Sequence, residues 1–152
     1  MDMPRTSAAP YLMLLFALVG IADAFYDSYA IYNGQPLWCP PPIDGCNIVA
    51  ASPYAHILGV PVGYFGVVYY LVMFALAALL TLSPKSGALR LGAVIGAVVG
   101  VSFSAYFMRV QLMSIHAFCI YCLISAILTV LLLIVALVHY RASRVASRAV
   151  ST

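Results

Sequence analysis

Charge is what this sequence has least of. Of its 152 residues, seven are Lys or Arg and four are Asp or Glu, so charged side chains make up 7% while hydrophobic ones make up 65%. A soluble domain carries about 25% charged and about 45–50% apolar residues. So few charges cannot cover a water-soluble surface, which excludes an ordinary soluble enzyme or binding module. The net charge of +3 is no nucleic-acid signal either, because the basic residues are not interleaved with aromatics on one face. They stand at the ends of apolar segments, where Lys and Arg report topology. A convincing small-x-small cleavage site is also missing. The first apolar segment is followed by Asp23, Asp27 and Tyr29 and reads as a retained helix, not a signal peptide.

What is present is a single membrane domain over residues 1–152. Crossing about 30 Å of hydrocarbon takes about 20 helical residues. Four segments have that length: about 10–29, 61–82, 89–108 and 118–140. Pro10 suits a helix start, and Ser83-Pro84 and Arg141 mark two ends. The expected fold is therefore an all-α four-helix bundle. Its only long connection, about 30–60, has the length at which loops are usually functional. With the N-terminus inside, Arg5, Lys85, Arg90, Arg141, Arg144 and Arg148 lie on the inner side and Arg109 alone on the outer. That bias makes both termini cytoplasmic in a plasma (inner) membrane and puts the long loop outside.

The four cysteines then share the outer side, which is oxidising in a bacterium. Cys119-Ile120-Tyr121-Cys122 is a C-x-x-C whose residues, three apart, share a helix face. Cys119 falls in the first helical turn, where free N–H groups and the helix dipole favour the attacking thiolate. Cys39 and Cys46 bracket a loop stiffened by Pro40, Pro41 and Pro42 and allowed to turn by Gly45. Four cysteines allow three pairings. A relay would use several in turn: Cys39–Cys46, Cys46–Cys119 and Cys119–Cys122. The alternatives are a structural loop disulfide, which predicts no electron flow, and a zinc site of four thiolates, which predicts bound metal.

The loop pair is followed by Cys46-Asn47-Ile48-Val49-Ala50-Ala51-Ser52-Pro53-Tyr54-Ala55 and by Leu58-Gly59-Val60-Pro61-Val62-Gly63. Phe118-Cys119-Ile120-Tyr121-Cys122 then opens the last helix. In this order the chain, over roughly 29–132, resembles the vitamin K epoxide reductase family. The resemblance implies a bundle around a quinone, menaquinone or ubiquinone, with a short half-helix after Cys46 folded over it. It implies that Cys39 exchanges with a partner, Cys46 shuttles to Cys119, and Cys122 faces the quinone. Ser52 is similar to the family's loop Ser/Thr near that site. Tyr64, Phe65 and Phe118 complete the quinone-binding candidates beside Cys122 and Ser52.

The sequence departs from vertebrate members, which have Tyr four residues after the last Cys and Asn early in helix two. Here Ala126 and Val62-Gly63-Tyr64-Phe65 stand instead, which argues against epoxide reduction, the alternative activity. Bacterial relatives imply a DsbB-like role: reoxidising a secreted thioredoxin-fold, DsbA-like partner and so supporting disulfide formation. The DsbB type itself has the reverse order of C-x-x-C and spaced pair. The chain ends about twelve residues after helix four, so the partner is expected to be a separate protein.

Other residues carry weaker expectations. His116 reads as an interfacial histidine or thiolate stabiliser, and Arg109 as an interface marker. Asp23 and Asp27 share a face of helix one, Asp27 at the wet boundary and Asp23 deeper, as a polar contact or proton relay. Tyr26, Tyr29, Tyr32, Tyr54, Tyr64 and Tyr106 read mostly as belt residues towards the outer half. Gly92, Gly96 and Gly100 allow a close helix contact. His139 reads as an inner anchor, and the tail 141–148 as lying on the inner surface, in contact with membrane lipid.

Overall fold

The structure is a computed structural model that describes residues 8–43 and 45–150, with 146–150 described by backbone alone. Arg5, Asp44 and the Arg148 side chain lie outside the described residues. The helices are α1 (Ala9–Tyr32), α2 (Cys46–Ala50), α3 (Val62–Leu82), α4 (Gly87–Val110) and α5 (Ile120–Val150). Among the described residues, four segments are long and apolar enough to cross a membrane: Ala9–Tyr32, Val62–Leu82, Gly87–Ile115 and Ile120–Val145. The protein is a multi-pass, four-helix membrane bundle.

The bundle is packed through small residues at helical spacing. Met13, Ala17 and Ala24 of α1, Tyr70, Met73, Ala77 and Leu80 of α3, Ala93 and Ala97 of α4, and Leu128, Leu132 and Ala136 of α5 form one buried cluster. Large apolar side chains face outward instead, among them Leu15, Leu18, Val68, Leu71, Ile95 and Ile134. Lipid solvates those side chains as well as the core would, so helix association rests on close packing. Glycine makes that packing possible. A Cβ at Gly20 would run into the Tyr70 ring, and one at Gly63 into the Ser28 hydroxyl. On α4, a Cβ at Gly96 would lie 2.8 Å from Met73 Sδ, and one at Gly100 would strike the Tyr69 hydroxyl. The glycine run thus serves contact with α3 inside the bundle.

Helix ends follow local chemistry. Pro61 precedes α3, and α3 stops at Ser83 ahead of Pro84. Ser86 caps α4 by accepting from Leu89 N–H at 3.4 Å. Arg90 reaches back across this turn to the Pro84 carbonyl. Two boundaries differ from expectation. Beyond Val110 the third span continues as a π-helical turn, Gln111–Ile115, where a short connection was expected. The turn ends at His116, whose φ of +56° reverses the chain. The last helix also continues to Val150, beyond the expected end near 140, so the tail is helical. Arg144 there lies 5.0 Å over the Tyr140 ring.

The long connection contains the short helix α2, a 3-10 turn at Pro53–Ala55, and a hairpin pairing β1 (His56–Ile57) with β2 (Val60–Pro61). Leu58 and Gly59 at its tip both have positive φ, 53° and 81°, as a two-residue hairpin turn requires. Because successive spans alternate in direction, this loop and the start of α5 meet at the same end of the bundle.

Candidate redox site

The site is built where the loop is pressed against the start of α5. Asn47, next to Cys46, fixes the strand leading to Cys39. Its side-chain oxygen accepts from Leu37 N–H at 2.8 Å, and its amide nitrogen donates to the Leu37 carbonyl at 3.1 Å. Tyr121, between the two helix cysteines, donates to the Trp38 carbonyl at 2.7 Å. Gly45 allows the close approach itself. A Cβ there would lie 2.7 Å from the Phe118 carbonyl oxygen, 2.8 Å from Phe118 N and 2.9 Å from Ala117 Cβ.

These contacts gather all four cysteines. Ala30, Leu37, Cys46 and Cys119 form a buried cluster, with Cys39, Tyr121 and Cys122 packed against it. Cys39 and Cys46 are joined in a disulfide with Cα atoms 6.1 Å apart, while Cys119 and Cys122 are free thiols. Cys46 and Cys119 are 0% and 1% exposed, so the contact between the two pairs is shielded from water.

Cys119 occupies the N-cap position of α5, one residue ahead of the span. The backbone N–H groups of Tyr121 and Cys122 point at its sulfur, as they would at a capping oxygen. Its pKa is lowered, chiefly by a hydrogen bond from the Cys122 thiol, against burial, which raises it. Its own N–H donates to Gln111 Oε1 at 3.0 Å.

Beneath the cysteines lies a cavity of about 440 Å³. Its volume falls in the usual range for a small-molecule site, about 300–1,000 Å³. Cys46, Cys119 and Cys122 reach its wall and Cys39 does not. Most of the lining is apolar, including Val62, Phe65, Val99, Phe103 and Phe107. Phe65 and Phe103 line the cavity from α3 and α4 and yet remain exposed on the outer face of the bundle, so they stand at its mouth.

Polar groups are few and mostly engaged. Tyr70 shares a 2.8 Å hydrogen bond with the Ser125 hydroxyl and donates to the Ser125 carbonyl at 3.0 Å. Ser52 donates to the Val49 carbonyl at 2.7 Å. The buried Tyr69 hydroxyl has no hydrogen-bond partner among the described residues.

The quinone-binding candidates divide here. Cys122, Ser52 and Phe65 line the cavity. Tyr64 and Phe118 are not among its lining residues. Tyr64 is turned one helical position away and meets Tyr32 edge-on at 6.4 Å. Phe118 contributes its backbone to the Gly45 contact while its side chain stays exposed. Asp23 and Asp27 both line the cavity, but Asp27 is the more buried, because α1 continues to Tyr32 beyond it. His116 and Arg109 are exposed and lie off the cavity. Tyr26, Tyr29, Tyr32 and Tyr106 are exposed towards the cysteine end. Sequence reasoning missed Gln111, Tyr69 and Tyr70. Gln111 had the clearest signal, an amide in an apolar stretch eight residues before Cys119.

Fold and site together define a membrane bundle holding two cysteine pairs over an apolar cavity. Residues 11–137 match the model of the vitamin K epoxide reductase family, and the chain belongs to that family. It is also similar to a thiol-disulfide oxidoreductase of Arabidopsis thaliana, LTO1, with 33% identity over 115 residues. That alignment covers 70% of this chain and 30% of the plant protein, so the chain spans less than a third of that relative.

Proposed function

We propose that the protein is a quinone-linked thiol–disulfide oxidoreductase that reoxidises a thioredoxin-fold, DsbA-like partner on the extracytoplasmic side of the plasma membrane. The observation that carries this reading is the order of the cysteines. Cys39 stands off the cavity, Cys46 and Cys119 are buried together, and Cys122 lines the cavity. The family membership and the activity in the plant relative's name support it.

In this reading a partner thiolate attacks Cys39 Sγ and expels Cys46 as a thiolate. The partner's second thiol then releases Cys39 and leaves the partner oxidised. Cys46 attacks Cys119 of an oxidised Cys119–Cys122 pair and expels Cys122. Cys39 resolves the Cys46–Cys119 bond, restoring the loop disulfide and leaving two thiols on α5. Those are the pairings present in the structure. The two electrons are then held next to the cavity.

A quinone fits the cavity by size, by its apolar walls and by the unpartnered Tyr69 hydroxyl, a ready donor to a carbonyl oxygen. Phe65, Tyr69 and Phe103 would hold it beside Cys122. When bound, it supplies a two-electron, two-proton acceptor.

The test is turnover of the detergent-purified protein with a reduced thioredoxin-fold partner and either ubiquinone or menaquinone. Wild type should reduce one of them, and Cys122→Ala should lose quinone reduction completely. Absence of reduction with both quinones by folded wild-type protein would refute the reading. A membrane-impermeant thiol reagent, applied to oriented vesicles after reduction, tests the side assigned to Cys39.

A further inference from the structure

The two sulfurs of the loop disulfide differ in access. Cys46 is 0% exposed, whereas Cys39 is part-exposed and stands off the cavity. In thiol–disulfide exchange a thiolate attacks one sulfur and expels the other. A thiol arriving from water must therefore take Cys39 Sγ, on the side away from Cys46. The residue beside Cys39 is Trp38, the only tryptophan in the chain, and it is 72% exposed.

We propose that Trp38 is the docking residue for the protein that delivers thiols to Cys39, an apolar anchor that seats against nonpolar surface beside the partner's reactive sulfur. This rests on the reading that a thioredoxin-fold dithiol is oxidised at Cys39, and adds how it is recognised. In the step served, the partner thiolate bonds to Cys39 Sγ, the Cys39–Cys46 bond breaks, and Cys46 leaves as a thiolate with the electron pair. The main chain under the anchor is fixed. Leu37 exchanges hydrogen bonds of 2.8 and 3.1 Å with the Asn47 side chain, and the Trp38 carbonyl accepts from Tyr121 at 2.7 Å. Leu37 is drawn into the buried cluster, while the indole next to it is left outside. A large side chain on a pre-ordered backbone loses little freedom on binding, and tryptophan is enriched among the residues that dominate interfaces. Residues 33–43 hold no charged side chain, so the surface offered on this side of Cys39 is apolar. A tryptophan near a membrane can also rest among lipid headgroups. Lipid over Trp38 would obstruct the neighbouring sulfur, which a thiol from water has to reach, so the chemistry favours the protein partner as occupant.

Trp38→Ala removes the anchor and keeps all three hydrogen bonds, because they use the main chain of Leu37 and Trp38. Trp38→Phe keeps an aromatic ring. The oxidised full chain in detergent is mixed anaerobically, without quinone, with a reduced DsbA-like protein or with dithiothreitol. Reduction of Cys39–Cys46 is followed by acid quenching, alkylation and peptide mass spectrometry. Circular dichroism and thermal unfolding establish that each variant is folded. In wild type the single tryptophan lets fluorescence report on this residue alone, with acrylamide quenching from water and brominated phosphatidylcholine vesicles quenching from lipid.

The expected result for Trp38→Ala is exchange with the protein thiol slowed at least about tenfold at subsaturating concentration, the scale of truncating a dominant interface residue. Exchange with dithiothreitol should keep its wild-type rate, and Trp38→Phe should recover most of the loss with the protein thiol. Acrylamide should quench wild-type Trp38 strongly and brominated lipid weakly. An unchanged rate with the protein thiol, or equal slowing with both thiols, would overturn the proposal. So would strong quenching by brominated lipid with little by acrylamide, a result that needs no variant to fold. Because exchange is measured without quinone, a failure of wild-type quinone reduction would refute the relay reading alone.

Discussion

Replacing Gly45 by Ala tests whether the two cysteine pairs work through the buried contact between them. Gly45 has φ −78° and ψ 2°, a conformation alanine tolerates, so the substitution is opposed by space alone. The new Cβ would lie 2.7 Å from the Phe118 carbonyl oxygen, where ordinary contact begins at 3.4 Å. Its neighbours are mainly backbone, so the loop must yield by about 0.7 Å. Cys46, the next residue, moves with it and away from Cys119. Overpacking of this kind costs about 1–3 kcal/mol. A displacement of about 1 Å from reacting geometry can slow a reaction about 100-fold. We therefore expect partner-driven quinone reduction to fall roughly 10- to 100-fold. Exchange of the partner with the Cys39–Cys46 disulfide should continue, since the atoms a Gly45 Cβ would strike belong to Phe118 and Ala117 and not to Cys39. The assay is single turnover under anaerobic conditions, following partner oxidation and quinone reduction separately. Gly87→Ala is the control, because nothing lies within 4 Å of a Cβ at Gly87. A Gly45→Ala protein that reduces quinone at the wild-type rate would show that the Gly45 contact does not govern transfer.

Further expectations follow from other contacts. Asn47→Ala removes both partners of the Leu37 backbone groups. It should destabilise the loop by about 1–3 kcal/mol, seen as a lower melting temperature and easier reduction of Cys39–Cys46 by glutathione. Cys119 has a lowered pKa, so it stays a thiolate down to a lower pH than an ordinary thiol. Its alkylation in the reduced protein should be half-maximal below about pH 8.5, the value of a free cysteine. A midpoint above that would contradict the hydrogen bond from the Cys122 thiol, the main cause of the lowering, together with the backbone N–H groups that assist it.

The membrane fold was legible because it depends on composition over long windows. Lack of charge and apolar runs of span length locate all four helices, and the α3 boundary falls where Ser83-Pro84 predicts it. The cysteines and the short helix after Cys46 were legible from motif order. Contacts across the fold were not. Gly45 reads in sequence as a turn glycine, but its φ is negative and its requirement is space against Phe118. Tyr64 and Phe65 are adjacent aromatics, and only helical phase decides that Phe65 reaches the cavity. Gln111 was hidden by taking 109–117 as a connection, since a π-helical turn has no distinct hydrophobic period.

Phe65 and Phe103 at the cavity mouth bear on how an acceptor arrives. They line the cavity from α3 and α4, two of the four membrane-spanning helices, and both are exposed. If the proposed acceptor passes between them, a molecule dissolved in the bilayer would enter and leave without being desolvated from water. What governs its occupancy is its concentration within the membrane, which for a long-tailed quinone far exceeds any aqueous value. In the proposed relay the thiol partner instead meets Cys39, which stands off the cavity. On that reading the two substrates would occupy separate phases, and neither would have to wait for the other to vacate the site.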